Sequence, residues 1–303
     1  MARRADRLEK LSDQLTTVCE IMTADLSKKS ECLRLVKALD DRRVDLFINN
    51  AGFGDCGPFL QTDLDKDLDM LAVNIRAVHI LTKKIGQKLY KQGFGALLNV
   101  GSCAGLMPAG PYMATYYATK SYVVSLTSAL AQELREAHSP VYAGCLCPGP
   151  VDTEFNAVAN VEFALRGITP EYCVRCALDG IARRKTVIVP SPLVAAGMTL
   201  GRFLPRPVYI KIAAHQQRSL HQHPIRGQKL QHLLLAHARQ LVLQPHGLIQ
   251  QPAGVEKSLQ RQPAALMPRS QLLIAGVLLL DVPQLIADVV LIQPLLRLLA
   301  GAA

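Results

Sequence analysis

Val44-Asp45-Leu46-Phe47-Ile48, followed at once by Asn49-Asn50-Ala51-Gly52, decides how this chain is read. A short apolar run closed by turn residues marks a strand buried on both faces. Only a parallel sheet covered by helices offers that environment. The same pattern recurs downstream. Ala96–Val100 runs into Gly101-Ser102, Val141–Cys147 into Pro148-Gly149-Pro150, and Thr186–Val189 reads as a last strand. Upstream, Thr17–Met22 is strand-like and runs toward Ala24-Asp25-Leu26. Helical spacing fills the gaps: Arg7–Leu15, with apolar residues at 8, 11 and 15, then Lys28–Leu39, Leu64 to about Tyr90, Tyr112–Glu136 and Thr169–Ile181. Strands alternating with helices predict an α/β fold, a doubly wound parallel sheet with right-handed crossovers. Ligands of such sheets sit beyond the carboxyl ends of the strands. The loops there are Asp25-Leu26, Asn49–Gly52, Gly101-Ser102 and Pro148–Pro150.

One of the helices carries chemistry. Tyr116 and Lys120 are four residues apart and share a face. A phenol of ordinary pKa, about 10, is a poor base at neutral pH. A cation beside it favours the phenolate. Ser102 could hydrogen-bond a carbonyl oxygen, so the three together can move a proton to or from an alcohol while a hydride moves elsewhere. A Tyr-x-x-x-Lys pair alone is also a common feature of ordinary helix surfaces, so its weight comes from its neighbours. Tyr117 lies about 100° round the helix and reads as packing.

Those neighbours come in order: Asn49-Asn50-Ala51-Gly52, Asn74, Gly101-Ser102, Tyr116-Tyr117-Ala118-Thr119-Lys120 and Pro148-Gly149-Pro150-Val151-Asp152-Thr153. The set resembles the short-chain dehydrogenase/reductases over about residues 1–190, and weakly to about 218. The resemblance implies a Rossmann-like fold and an oxidoreductase that interconverts a carbonyl and a secondary alcohol. It implies Tyr116 as general acid/base, Lys120 as the group that tunes it and binds the nicotinamide ribose, Ser102 on the carbonyl, and Asn74 on a relay water. Asn49, Ala51 and Gly52 would brace the sheet and flank the cofactor ribose, with Asp25 and Leu26 beside the adenine. Pro148, Gly149, Val151 and Thr153 would frame the nicotinamide. Arg3 and Arg4 occupy the place where the family often carries a basic group for the 2′-phosphate, so NADP is the expected cofactor, with NAD as the alternative. A solvated basic terminus explains those arginines equally well.

The chain departs from the family at its start. No glycine-rich strand-to-helix turn precedes Asp25, although such a turn normally holds the pyrophosphate. We therefore expect a domain lacking its first strand and that turn, opened in mid-sheet and poor at binding NADP. Gly52-Phe53-Gly54-Asp55-Cys56-Gly57 spells G-x-G-x-x-G, but Pro58 and Phe59 follow and residues 75–81 hold no acid. A dinucleotide loop opens a helix directly and has an acid about 20 residues on.

Composition divides the 303 residues at about residue 218. The formal charge of +10 splits into +6 for residues 1–218 and +4 for 219–303, which hold only Glu256, Asp281 and Asp288 as acids. The last 85 residues contain no Cys, Phe, Tyr, Thr or Asn, and are rich in Leu, Gln and Pro. We expect this tail to be poorly ordered, or coding sequence read out of frame. Leu230, Leu233, Leu234 and Leu241, with His237, could form a basic amphipathic helix that docks on a membrane or partner. His221-Gln222-His223 lacks a nearby carboxylate or thiol and reads as solvated. The lone Cys173-Val-Arg-Cys176 reads as helix core.

Length, 50% hydrophobic residues and 19% charged residues exclude collagen-like and wholly disordered classes. No aromatic-interleaved basic groove supports nucleic-acid binding. The longest apolar run, Leu272–Leu280, is too short for a membrane span. Eight Cys and a polar start, Leu8-Glu9-Lys10, suit a reduced cytoplasmic protein. Leu106, Met107, Phe155 and Val158 point to a small apolar carbonyl or alcohol substrate, and a homodimer or homotetramer is possible. Two rival readings stand: a non-catalytic remnant unable to hold cofactor, and a tail-mediated membrane or partner binder.

Overall fold

Alternate residues along each strand face opposite layers, which is how one sheet feeds two cores. In a computed structural model describing residues 2–155, 159, 167–222 and 274–276, the strands β1 (Leu46–Asn49), β2 (Ala96–Val100), β3 (Tyr142–Leu146) and β4 (Val187–Ile188) pair side by side and parallel. Phe47 and Leu97 point into one core, beside Leu35 of α2 (Lys29–Ala38), Leu39 at its C-terminal cap, and Leu81, Ile85 and Leu89 of α4 (Val78–Gln92). Ala96 and Leu98 point into the other core, beside Cys173, Ala177 and Ile181 of α6 (Pro170–Ala182). Register is set by these alternations: Leu46 lies opposite Ala96, and Ala96 opposite Tyr142.

The helices begin and end where local chemistry directs. Asp63 caps α3 (Leu64–Leu71) by accepting from the Asp65 amide. Thr169 caps α6, with Pro170 in its first turn. Gly93 closes α4 in the left-handed region, φ 81°. Between α3 and α4, residues Ala72–Ala77 form a π turn, so 64–92 is one long helix with a widened middle. α5 (Ala114–Glu136) packs along β3, and a buried chain from Thr82 through Asn99 to Thr127 ties α4, β2 and α5 together at 3.1 and 2.8 Å.

Three expectations need correction. Thr17–Met22 is not a strand. Only an isolated parallel bridge joins Ala2 to Thr23, Val18 is 97% exposed, and Glu20 turns outward to Arg42. A strand needs a ladder partner, and among the described residues Ala2 is the one that supplies it there. The sheet also does not end at 186–189 or stand open beside β1. Ile274–Gly276 forms β5, parallel to β1, with Leu46 opposite Ile274 and Ile48 opposite Gly276. The sheet order is therefore β4-β3-β2-β1-β5. Finally, the division at residue 218 falls inside a helix, α8 (Arg206–Gln222), which follows α1 (Ala5–Asp13) through α6 and then α7 (Pro192–Gly201). The remaining expectations for the tail, including His223 and the Leu230–Leu241 stripe, lie outside the described residues, as does Val158. Among the described residues no helix is long and apolar enough to cross a membrane.

Candidate active site

β2 ends at Val100, and the chain turns through Gly101 into a short 3-10 turn at Cys103–Leu106. Ser102 caps that turn, its Oγ accepting from the Ala104 amide at 3.1 Å. Gly105 lets the turn press against α5, because a Cβ there would collide with the carbonyl of Lys120. Gly101 similarly makes room for the sulfurs of Cys145 and Cys147. This close approach sets Ser102 beside the first turns of α5, where Tyr116 and Lys120 project inward and are buried.

Burial dominates the electrostatics. It raises the Tyr116 phenol well above its ordinary pKa, with a hydrogen bond to Ser102 acting the other way. The Lys120 ammonium lies 5.8 Å from the centroid of the Tyr116 ring and donates to the Val100 carbonyl at 2.9 Å. Burial pulls Lys120 down to about 8, against the nearby Cys145 and Cys147 sulfurs, which hold it up. The expected lowering of the phenol by Lys120 is therefore not the state found here. Desolvation outweighs the cation at this distance. Cys145 and Cys147 themselves sit 3.7 Å apart, sulfur to sulfur, and their hydrogen bond lowers the first thiol and raises the second.

The loop after β1 closes the site from another side. Asn74, on the π turn, accepts from the Phe53 amide at 3.1 Å and donates to the Phe53 carbonyl at 2.8 Å and to Thr119 Oγ1 at 3.1 Å. It clamps that loop to α5. A Cβ on Gly52 would come 3.0 Å from Asn74 Oδ1 and 3.2 Å from Lys120 Nζ; one on Gly54 would come 3.2 Å from the Tyr116 ring. The first two glycines of the G-x-G-x-x-G stretch thus serve close approach to Lys120 and Tyr116, a role their sequence spacing does not disclose. Asn49 is buried, donates weakly to the Val78 carbonyl at 3.4 Å, and leaves Oδ1 without a partner. Ala51 is core.

Pro148 receives the Cys103 amide at 2.8 Å, which brings the loop after β3 against the Ser102 turn. Gly149 faces Val194, Val151 bridges to Ile168, and Thr153 Oγ1 accepts from Phe155 N at 3.4 Å. Phe155 packs on Tyr116, ring centroids 5.5 Å apart. Around the phenol lie Met70, Ala104, Met113 and Tyr117, with Phe53 and Met107 partly buried. Tyr117 is packing, edge-on to Tyr116, and its hydroxyl accepts from Gln217 Nε2 of α8 at 2.7 Å.

Farther along the same edge, Asp25 holds an Asx turn with Ser27, whose hydroxyl bond lowers the carboxyl pKa. Leu26 is buried in the core, so its side chain packs the domain. Arg3 is exposed and adds a small favourable field at Asp25. Arg4 lies 3.5 Å from Glu154, to which Arg7 also pairs at 2.8 Å. That partner, 150 residues away in sequence, gave no sequence signal.

A parallel sheet with helices on both faces, and Ser102, Tyr116 and Lys120 buried beyond its carboxyl edge, define an α/β protein. The family model for short chain dehydrogenase matches residues 1–162, and the chain belongs to that family. It is 34% identical over 185 residues to dehydrogenase/reductase SDR family member 11 of Gallus gallus, covering 58% of this chain and 72% of that one. Against the bovine, mouse and human proteins of that name the match spans about half of their length. Among solved structures, a short-chain dehydrogenase from Sphingobium yanoikuyae in complex with NADPH superposes with a TM-score of 0.57 at 26% identity, covering 68% of this chain and 85% of that one. One from Burkholderia phymatum in complex with NAD gives 0.54 at 24% identity, covering 60% and 74%, which shows the fold.

Proposed function

We propose that the chain is an NAD(P)-dependent oxidoreductase interconverting a carbonyl and a secondary alcohol in the cytoplasm, with Tyr116 as general acid/base. The carrying observation is the burial of Ser102, Tyr116 and Lys120 in one cluster, with apolar Phe155 and Met107 beside them. The relative with bound NADPH supports a nicotinamide cofactor. Bound there, the cofactor would supply the hydride. Ser102 would orient the carbonyl oxygen, Tyr116 would give or take the proton at that oxygen, and Lys120 would keep a positive charge beside the phenol and hold the ribose. Asn74 holds the Phe53 loop in place and stands at the start of a proton route to solvent. The apolar wall keeps water from the reacting carbon and favours small apolar substrates.

Among the residues present, Lys120 and Asn74 meet at Gly52, and Lys120 would hold the nicotinamide ribose there. A second reading is a non-catalytic relative that retains the site but does not bind the cofactor. Titration with NADPH and NADH, followed by assay with a small apolar ketone, separates the two. Micromolar NADPH binding with turnover supports the enzyme, and absence of both cofactor binding and turnover supports the remnant.

Two further results are expected. Arg3→Ala combined with Arg4→Ala should weaken NADPH much more than NADH, because each charge-assisted phosphate contact is worth about 1.5–3 kcal/mol, roughly tenfold or more. Equal losses would show that these arginines do not read the 2′-phosphate. Lys120 is charged below its pKa of about 8 and neutral above it. NADPH affinity should therefore fall as pH rises through about 8. Lys120→Met should be weak throughout and show no such fall; a limb that survives the substitution belongs to another group.

A further inference from the structure

We infer that α7 and α8 form a docking surface for an anionic membrane. Leu193, Ala196, Gly197 and Leu200 lie on one face of α7 at the i, i+3, i+4, i+7 positions, and that face is turned outward. Leu193 is 73% exposed and Leu200 69%. A Cβ added at Gly197 would meet nothing within 4 Å. The bend into α8 carries Phe203, 83% exposed, with Leu204 beside it, and Val208 and Ile212 continue the apolar band along α8. The opposite sides of both helices are anchored. Val194 faces Gly149, Tyr209, Ala213 and Gln217 are buried, and Gln217 bonds Tyr117. The band is thus held rigidly and presented to solvent.

Charge selects the occupant. Arg202, Arg206 and Lys211 are exposed around the band, and no Asp or Glu occurs between Asp179 and Glu256. A symmetric contact with a second copy would set these cations against their own equivalents, which is costly. Residues 219–303 carry a formal charge of +4. An anionic lipid surface satisfies both parts: Phe203, Leu200 and Leu193 enter the boundary between headgroups and acyl chains, while the cations meet the headgroups. The protein would lie on the bilayer without crossing it. Because the inner faces of the same helices reach Tyr117, beside Tyr116, the surface would bring lipid-dissolved substrate to the site; that consequence rests on the oxidoreductase reading.

The test is co-sedimentation of the whole chain with vesicles of phosphatidylcholine alone or mixed with phosphatidylglycerol. Pelleting with the mixed vesicles, weakened by salt and slight with phosphatidylcholine alone, is expected. Leu200→Ser with Phe203→Ser, both at exposed positions, should reduce binding tenfold or more. Arg202→Gln and Lys211→Gln should each reduce it about fivefold on the anionic vesicles only. Retention of the unsubstituted chain in the supernatant overturns the inference. So does unchanged pelleting of the serine variant, which would place binding in another segment. Conversion of a vesicle-free dimer to monomer by the same variant also overturns it, in favour of a second copy. Vesicle binding without turnover of any ketone would leave the surface standing and remove the oxidoreductase reading.

Discussion

Tyr116→Phe is expected to lower single-turnover hydride transfer by about 10²–10⁴ while leaving NADPH affinity nearly unchanged. The ring packs against Phe155 and Tyr117, and phenylalanine preserves those contacts. What it removes is the hydroxyl beside Ser102, so a developing alkoxide must take its proton from solvent. The neighbouring Tyr117→Phe is the contrast. It strands the Gln217 donor in a buried place and should cost about 1–3 kcal/mol of stability, with little effect on the chemical step. A dead Tyr117→Phe beside an active Tyr116→Phe would mean that the chemistry belongs to the other tyrosine. Full activity in both would remove this cluster from the reaction.

Gly105→Ala is the second large effect. The added methyl would strike the Lys120 carbonyl, main-chain atoms of a long helix that cannot swing aside. Overpacking of this kind costs about 1–3 kcal/mol, occasionally more. To relieve it, the Ser102 turn and α5 must separate, which moves Ser102 away from Tyr116. We expect a lower melting temperature together with a turnover loss larger than the lost folded fraction explains. Gly197→Ala, in open space on α7, is the control and should be neutral or slightly stabilising. Wild-type stability and rate in Gly105→Ala would refute the packing argument.

What could be read from the residues was local. The runs at 46–48, 96–100 and 142–146 are short, apolar and closed by turn residues, so their burial in a parallel sheet followed directly. Tyr116 and Lys120 share a face through helical spacing alone, and the loops carrying Ser102, Gly52 and Pro148 could be placed at one edge by the sheet rule. The failures were tertiary. Val18 and Cys19 look like strand residues, but among the described residues no neighbouring ladder exists for them. Asn74 depends on a π turn and on partners at Phe53 and Thr119, none encoded in its immediate sequence. Arg4 meets a glutamate 150 positions away. Gly54 and Gly105 matter because of what passes close to them, which spacing does not reveal.

The pairing of Ile274–Gly276 with β1 has a consequence for the order of events during synthesis. β1 leaves the ribosome more than two hundred residues before its partner on that edge. Its other edge can zip onto β2 early, but the Leu46–Ile48 side waits with unpaired amides and carbonyls until Ile274–Gly276 has been made. An exposed edge of this kind is a template for pairing with other chains. Contacts between residues so distant along the chain are also slow to form. Maturation of this protein should accordingly be sensitive to translation speed and to chaperones that shield nascent strands, and nascent chains halted before residue 274 should be the ones that aggregate.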